Sequence, residues 1–520
     1  MTRLSYPNGP MHTLMQATAR RYPDKPAIRF EDRVITFKQF DEESNRLAHG
    51  LSALGLAGGD RMGLFLPNCP EYELAFYAAS KIGAVSTPLN PSSAARDIVY
   101  QLNSAGAAAL MTHERLWAVV EPVRDQLQTV RSIVVVGNRP EGAPPGVRSF
   151  AEVIANQPVT PVSIEVQPDQ LAALPFSSGT TGMPKGVMLT HRHLVTNQIQ
   201  FATAEGISEK DTYIVYLPLS HIYGVALMGN AMYAGTQQII LERFDLATAM
   251  ELISRHGVTI FHAVPPVLLA LANSPDLDVA SFKTLRYILC AAAPMPPDVG
   301  RRVEARLGVP DIQACGMTEA APLTHHSPLD PAKRRIESVG VLVADTEQRV
   351  VDAEEGLTVL GPGEVGEIII RAPQVMSGYW NAPEETANTI RNGWLHTGDI
   401  GYVDDDGYLF IVDRKKEMIK CKGFGIAPAD LEGVVVQHPD VADCAVVGMP
   451  DPECGELPKA FVVAQQGRTI DLANLRQFIA ERVAGYKQIR VFEVVNAIPR
   501  TPSGKILRRV LKQTAPAPSA

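Results

Sequence analysis

The sequence predicts an α/β fold, with a large N-terminal unit of α/β subdomains and a small α/β C-terminal unit. Three observations predict it. Apolar β-branched runs alternate with segments of helical spacing along most of the chain, which implies largely parallel sheet with crossover helices. At 520 residues the chain is too long for a single core. A basic cluster inside "FIVDRKKEMIK" separates two stretches of different pattern.

Taken in order, "PEYELAFYAASKIGAV" places apolar residues at helical spacing. "RSIVVVGN", "LRYILCAAAP" and "GEIIIRAP" read as strands, the middle one buried and ending in a loop. The candidate boundary is that basic stretch, residues 410–420, and a small unit begins after it. About 100 residues is one small domain's worth. That unit is richer in Lys and Arg than in acids, although the whole chain carries a net charge of −8. A net acidic chain argues against a nucleic-acid partner. Six scattered cysteines with no C-x-x-C pattern predict reduced thiols and a cytoplasmic setting. "MTRLSYPNGPMHTLMQ" lacks the apolar stretch of a secretory leader, and "VTIFHAVPPVLLALA" is too short to cross a bilayer. Nothing decides between monomer and homodimer.

The chemistry concentrates in "ALPFSSGTTGMPKGVMLTH", residues 173–191. Gly179 and Gly182 free backbone N–H groups, Ser177, Ser178, Thr180 and Thr181 supply hydroxyls, and Lys185 supplies an ammonium, so the loop suits phosphate. It is not a Walker A loop, because Pro184 stands where the second glycine is needed. The strand-like "VMLTH" follows, so no helix N-terminus points straight at the anion. "GPGEVG", residues 361–366, fits G-x-G-x-x-G but precedes a strand, and is expected to be a turn.

Four further segments join the loop. "QACGMTEAAP" sets Thr318 beside Glu319, hard oxygen donors of the kind Mg²⁺ takes next to phosphates. "WLHTGDIGYVDDDGYLFIVDR" offers Asp399, expected in a turn, and Arg414 for ribose hydroxyls. "LPLSHIYGVALMGNAMYAG" carries His221 and Tyr223 in an apolar run, and "IPRTPSGKILRRVLK" holds Lys505 on a loop that opens a short helix.

With these motifs in this order, the chain resembles the acyl-adenylate-forming superfamily of acyl-CoA synthetases, adenylation domains and luciferases over nearly its whole length. "LPLSHIYG" is most similar to the 4-coumarate–CoA ligase-like branch. The resemblance implies two half-reactions: a carboxylate and Mg·ATP give acyl-AMP and pyrophosphate, then the CoA thiol displaces AMP. It implies that Ser177 to Gly182 and Lys185 cradle the β- and γ-phosphates. Thr318 would touch the α-phosphate, and Glu319 would hold Mg²⁺, with Thr181 a second possible ligand. Ala292, Gln313, Ala314 and Cys315 would line adenine, Asp399 and Arg414 the ribose, and Lys505 would neutralise charge at the reacting carboxylate and α-phosphate. Residues 414–416 would be a hinge between a large unit, 1–413, and a small mobile unit, 417–520, with Lys416 its pivot, swinging Lys420, Lys422 and Gly423 to the site for thioester formation. Arg243 would meet a CoA phosphate, His221 would serve the chemistry, and His221, Tyr223, Leu227 and His326 would line the acyl pocket.

The chain departs from the resemblance at three positions. Cys315 stands where a tyrosine usually stacks on adenine, Gly425 replaces a glutamine, and Leu227 replaces a small polar residue. The last favours an acid without a 4-hydroxyl, since a polar group against leucine goes unpaired. The expectation is an acid–CoA ligase for an apolar aryl (cinnamate- or benzoate-like) or medium-chain acyl acid, with ATP, CoA and Mg²⁺. The alternative delivers the acyl group to a carrier protein's phosphopantetheine.

Overall fold

The computed structural model of the chain describes residues 3–177, 183–274, 277–421, 424–451, 455–501 and 504–514. Among them the strands build two large, mainly parallel sheets, two smaller mainly antiparallel ones and a two-stranded hairpin. The first runs Leu189–Thr190, Leu171–Ala173, Val85–Pro88, Arg61–Phe65, Ala107–His113, Ser132–Val136, Val147–Ser149. Its neighbours pair in parallel except Leu189–Thr190, which is antiparallel to Leu171–Ala173. The second has a parallel centre of Asp311–Gly316, Tyr287–Cys290, Ile260–Ala263, Thr212–Val215, Gln237–Ile240 and Pro26–Phe30. Leu323–His326 and Val341–Leu342 extend one edge antiparallel.

The helix Pro70–Ile82 shows why the sequence folds this way. Proline opens it, Glu71 and Glu73 sit in its first turn, Lys81 in its last, and Gly83 ends it at φ +71°, in the left-handed region. Every residue except Glu71 is buried, so the helix lies wholly inside and has little amphipathic signature. Phe76→Ala there would cost about 3–5 kcal/mol in lost burial and cavity.

The third sheet is antiparallel: Glu347–Val351, Gly366–Arg371, Trp394–Val403 and Leu409–Arg414, with Ile390–Arg391 on the edge. Residues 361–365 form the expected turn, with Gly363 at φ +79° and a strand following. The fourth sheet belongs to the C-terminal part: Phe424–Ile426, Ile419–Cys421, Gly455–Ala464, Val441–Asp451 and Val491–Val494. It has its own apolar core, including Ile419, Leu431, Val446, Leu475 and Ile479. The chain passes from the third sheet to the fourth at residues 415–418, inside the basic cluster.

Candidate active site

Phe176–Ser177 pairs antiparallel with Lys185–Gly186, Ser177 opposite Lys185, so the phosphate-loop motif is the connection of a hairpin. Ser178, Gly179, Thr180, Thr181 and Gly182 lie outside the described residues. The "VMLTH" strand is broken into a bridge at Val187 and the short strand Leu189–Thr190, after which Thr190 caps the helix His191–Glu205. The hairpin is braced by residues 377–380: Trp380 N donates to Gly186 O at 2.8 Å and Ser377 N to Met188 O at 3.0 Å. That bracing carries Tyr379 to the site. Lys185 Nζ lies 5.7 Å from the Tyr379 ring centre and 3.5 Å from the Glu385 carboxylate.

Glu319 follows the strand Asp311–Gly316 in a single 3₁₀ turn, Thr318–Ala320, with Thr318 half-buried and Glu319 buried. Tyr379 donates its hydroxyl to Glu319 Oε1 at 2.8 Å, and the charge of Glu319 helps push the phenol above its ordinary range, behind burial itself. Tyr379, within "SGYWNAPEET", belongs to none of the motifs that mark the site in the sequence. On the adjoining strand ends Ala292 is left-handed at φ +75°, Gln313 is buried with its amide on Ile336 O, and Ala314 pairs with His326. Cys315 is half-buried, and burial, then the Asp399 charge, push its thiol up to about 12, so it is a protonated, unreactive group.

Asp399 corrects an expectation. It lies in the long strand Trp394–Val403 rather than a turn, directly opposite Arg414, with Nε to Oδ1 at 2.6 Å. Gly398 at φ +70° bends the strand there, and Asp399 N donates to Thr397 Oγ1 at 3.0 Å. Burial pushes the Asp399 carboxyl up against the pull of Arg414 and Lys505, and Asp399 in turn raises Arg414.

Lys505 comes from the C-terminal part. Its N–H donates to Thr501 Oγ1 at 3.0 Å, and the preceding Gly504, at φ +84°, sits so close to Val264 and Pro266 that an added Cβ would stand 3.3 Å from each. The loop is thereby seated on the large unit, and Lys505 is half-buried, not the solvent-facing tail lysine such a position usually holds. Burial and Arg414 push its ammonium down, while Asp399 and Glu319 hold it up. His221 caps the helix Ile222–Ala234, its Nδ1 accepting from Tyr223 N at 3.2 Å. Burial and the Lys505 charge push its imidazole down to about 3, so it is neutral at pH 7.

The structure thus gathers Lys505, His221, Glu319, Cys315, Asp399 and Arg414, with Lys185 joined through Tyr379. Tyr223 and Leu227 are buried farther along the His221-capped helix, and His326 is buried on Leu323–His326. It does not bring in Arg243, Lys416 or Lys420, which are exposed. Lys420 sits on Ile419–Cys421 with its backbone N–H on a Glu456 carboxylate oxygen at 2.9 Å. Lys422 and Gly423 lie outside the described residues. No described helix is long and apolar enough to cross a membrane.

A lysine from the C-terminal part set beside Glu319, Asp399 and Arg414, next to the strand ends that carry Ala292 and Ala314, is the arrangement of an adenylate-forming enzyme. The chain belongs to the AMP-binding enzyme family: that family's model matches residues 15–380, and the model of its C-terminal domain matches residues 430–505. It is 38% identical to 4-coumarate–CoA ligase 1 of Solanum tuberosum over 515 residues, 97% of this chain and 93% of that one. It is 40% identical to 4-coumarate–CoA ligase 5 of Oryza sativa subsp. japonica, over 92% of this chain and 89% of that one. The crystal structure of the anthranilate CoA ligase AuaEII with anthranoyl-AMP superposes with a TM-score of 0.90 at 28% identity, covering 98% of this chain and 97% of that chain. The o-succinylbenzoate CoA synthetase of Bacillus subtilis with its acyl-adenylate gives 0.84 at 28% identity, covering 99% and 100%.

Proposed function

We propose that the chain is an ATP- and CoA-dependent acid–thiol ligase for apolar, chiefly aryl, carboxylic acids, acting through an acyl-adenylate. The observation that carries this reading is the placement of Lys505, from the C-terminal part, among Glu319, Asp399, Arg414 and His221. The likeness to enzymes named as ligases of coumarate and anthranilate supports the aryl class.

In the first half-reaction a carboxylate oxygen attacks the α-phosphorus of ATP, and the bond to the bridging oxygen breaks, releasing pyrophosphate and leaving acyl-AMP. The protein's part is positioning and charge neutralisation. Lys505 balances the charge gathered between carboxylate and α-phosphate, and Thr318 donates to that phosphate. Asp399 accepts from the ribose hydroxyls, its orientation fixed by Arg414 at 2.6 Å. Ala292, Gln313, Ala314 and Cys315 face adenine, while Ser177 to Gly182 and Lys185 hold the outer phosphates. Neutral His221 closes the carboxylate side without adding a second cation beside Lys505.

Mg²⁺ fits the residues present. Among the described residues no three His, Cys, Asp or Glu side chains converge, so an ion here draws one carboxylate, Glu319, and otherwise phosphate and water oxygens, which is the habit of Mg²⁺. Thr181 is its second protein oxygen in this reading. When bound, Mg²⁺ neutralises phosphate charge. Tyr379 then orients Glu319 by its 2.8 Å hydrogen bond.

In the second half-reaction the CoA sulfur attacks the acyl carbonyl carbon, the bond to the phosphate oxygen breaks, and AMP leaves. Lys505 sits in the cluster while Lys420 is exposed away from it, and in this reading the small unit turns between steps to exchange them. Residues 414–416 are the hinge between units 1–413 and 417–520, Lys416 its pivot, and Lys420, Lys422, Gly423 and Arg243 serve CoA. Lys416→Pro then spares pyrophosphate release and lowers CoA-ester output about 10²-fold, the scale of a misplaced reacting group; undiminished ester output removes the hinge from Lys416. The cytoplasm, which supplies ATP and CoA, suits the free cysteines at 69, 290, 315, 421 and 444.

The test is purified protein with Mg·ATP, CoA and a panel of aryl and aliphatic acids, followed by mass spectrometry. AMP rising with a set of aryl-CoA esters is expected. AMP with acyl-adenylate but no CoA ester would move the acceptor to a carrier protein, and no AMP from any acid would end the ligase reading.

A further inference from the structure

Holding Lys505 in the cluster is uphill. Its ammonium faces the Arg414 guanidinium, and burial, then that like charge, push it down, with Asp399 and Glu319 offsetting this only in part. A loop free to move would carry the lysine back to water, so contacts outside the nucleotide site must hold it there. The loop supplies some of them itself. Thr501 N donates to Lys505 O at 2.8 Å, Gly504 N donates to Thr501 O at 2.8 Å, and Arg500 bridges Ile506 antiparallel across the base. These bonds shape the loop without tying it to the body of the small unit.

The Arg500 side chain supplies that tie. Its Nη1 donates at 3.0 Å to Gly504 O, the carbonyl of the peptide bond to Lys505, and its Nη2 donates to Asp443 Oδ1 at 2.7 Å. Asp443 lies in the strand Val441–Asp451 of the small unit's own sheet, and the same oxygen accepts from Cys444 N at 2.8 Å. Gly504 is therefore held on two sides, by Val264 and Pro266 of the large unit and by a guanidinium anchored on the small one. A planar fork suits this task, since it bonds two acceptors at a fixed angle. Three residues past Lys505, Arg508 binds Glu417 at 2.8 Å, Val446 O at 3.1 Å and Glu432 at 3.2 Å, and so secures the chain that leaves the loop.

We infer that Arg500, anchored on Asp443, is the positioning residue that sets Lys505 for acyl-AMP formation. This rests on the acid–CoA ligase reading, in which Lys505 serves the first half-reaction and leaves the site for the second. Arg500 and Asp443 both belong to the small unit, so the strut travels with it and matters only while Lys505 is at work. Cutting the strut leaves the lysine present but displaced, and about 1 Å of misplacement costs up to about 10²-fold in rate.

The test compares two rates in the full-length protein: pyrophosphate release from Mg·ATP and an aryl acid, and CoA-ester formation from supplied acyl-AMP. Arg500→Ala is expected to lower kcat of the first about 10–10²-fold with KM for ATP little changed, and to leave the second within about twofold. Arg500→Lys keeps the charge but loses the fork, and is expected to lower the first rate about fivefold. Adding Asp443→Ala to Arg500→Ala costs little more, because the two side chains act as one strut. A folding defect lowers both rates alike, so their ratio separates positioning from loss of folded protein. A first-to-second ratio that falls by less than about threefold in Arg500→Ala overturns the inference, equal loss in both steps included. If Arg500→Ala does not fold, the same threshold applied to Arg500→Lys decides. Failure of this ratio in a protein that makes CoA esters defeats this inference alone, whereas no pyrophosphate and no CoA ester from any acid with the unaltered protein defeats the ligase reading.

Discussion

The nucleotide end and the acyl end of the site are built on opposite electrostatic plans. At the nucleotide end Lys505, Arg414, Asp399 and Glu319 stand within reach of one another, cations facing carboxylates. The acyl side, by contrast, is packed with aromatic rings and holds buried polar atoms without partners. Behind it Glu73, fully buried, has one carboxyl oxygen on the Gln238 amide at 3.1 Å and the other unpaired. Burial pushes that carboxyl up to about 8, so it is kept neutral rather than balanced. The contrast teaches that a buried charge is kept where opposite charges face it, as at Asp399, and is neutralised by protonation where none does, as at Glu73.

The strongest way to break the comparison is Lys505→Ala. Acyl-AMP formation, read by pyrophosphate release, falls about 10²–10³-fold, the worth of one well-placed electrostatic group. CoA-ester formation from supplied acyl-AMP changes far less; equal loss in both steps would remove Lys505 from the first step's charge balance. Tyr379→Phe is next, lowering adenylation about tenfold through loss of a hydrogen bond to a carboxylate. Its signature is a raised Mg²⁺ requirement for binding of a non-hydrolysable ATP analogue, measured calorimetrically. An unchanged requirement would make Tyr379 a packing residue.

Glu73→Gln probes the other plan. The Glu73 carboxyl holds its proton up to about 8 when folded, against an ordinary value of 4.5, so the folded chain binds more protons across that window and loses stability as pH rises through it. The variant removes this loss, raising the melting temperature by a few degrees at pH 8 and less at pH 5. Parallel melting curves for the two proteins at all pH values would show that Glu73 is not the group responsible. Smallest is Cys315→Tyr, which adds a ring where adenine binds. The KM for ATP falls a few-fold, toward the lower end of the roughly 1–3 kcal/mol that stacking on a base contributes. A rise in KM would mean the ring finds no room.

Much of the nucleotide end was legible in the sequence because its residues travel in short motifs with local geometry. Lys185 sits opposite Ser177 in a hairpin, and Thr318 and Glu319 share one 3₁₀ turn. Asp399 was legible as a residue but not as a place. A glycine before an acid reads as a turn, and only the pairing with Arg414 across two strands makes it part of a sheet. Tyr379 and Asp443 belong to no shared motif; a strand bridge to Val187 and a strand of the C-terminal sheet bring them to their partners.

By itself the sequence determined the alternation of strand and helix, the phosphate-loop chemistry and the separate pattern of the C-terminal part, because each depends on the spacing of side chains along the chain. Only the tertiary structure decided that Lys505 leaves the surface to sit beside Arg414 and Asp399, and that Asp443 and Arg500, 57 residues apart, pair behind its loop. Those outcomes depend on desolvation and on distances between elements remote in sequence, and neither quantity is carried by any local run of residues.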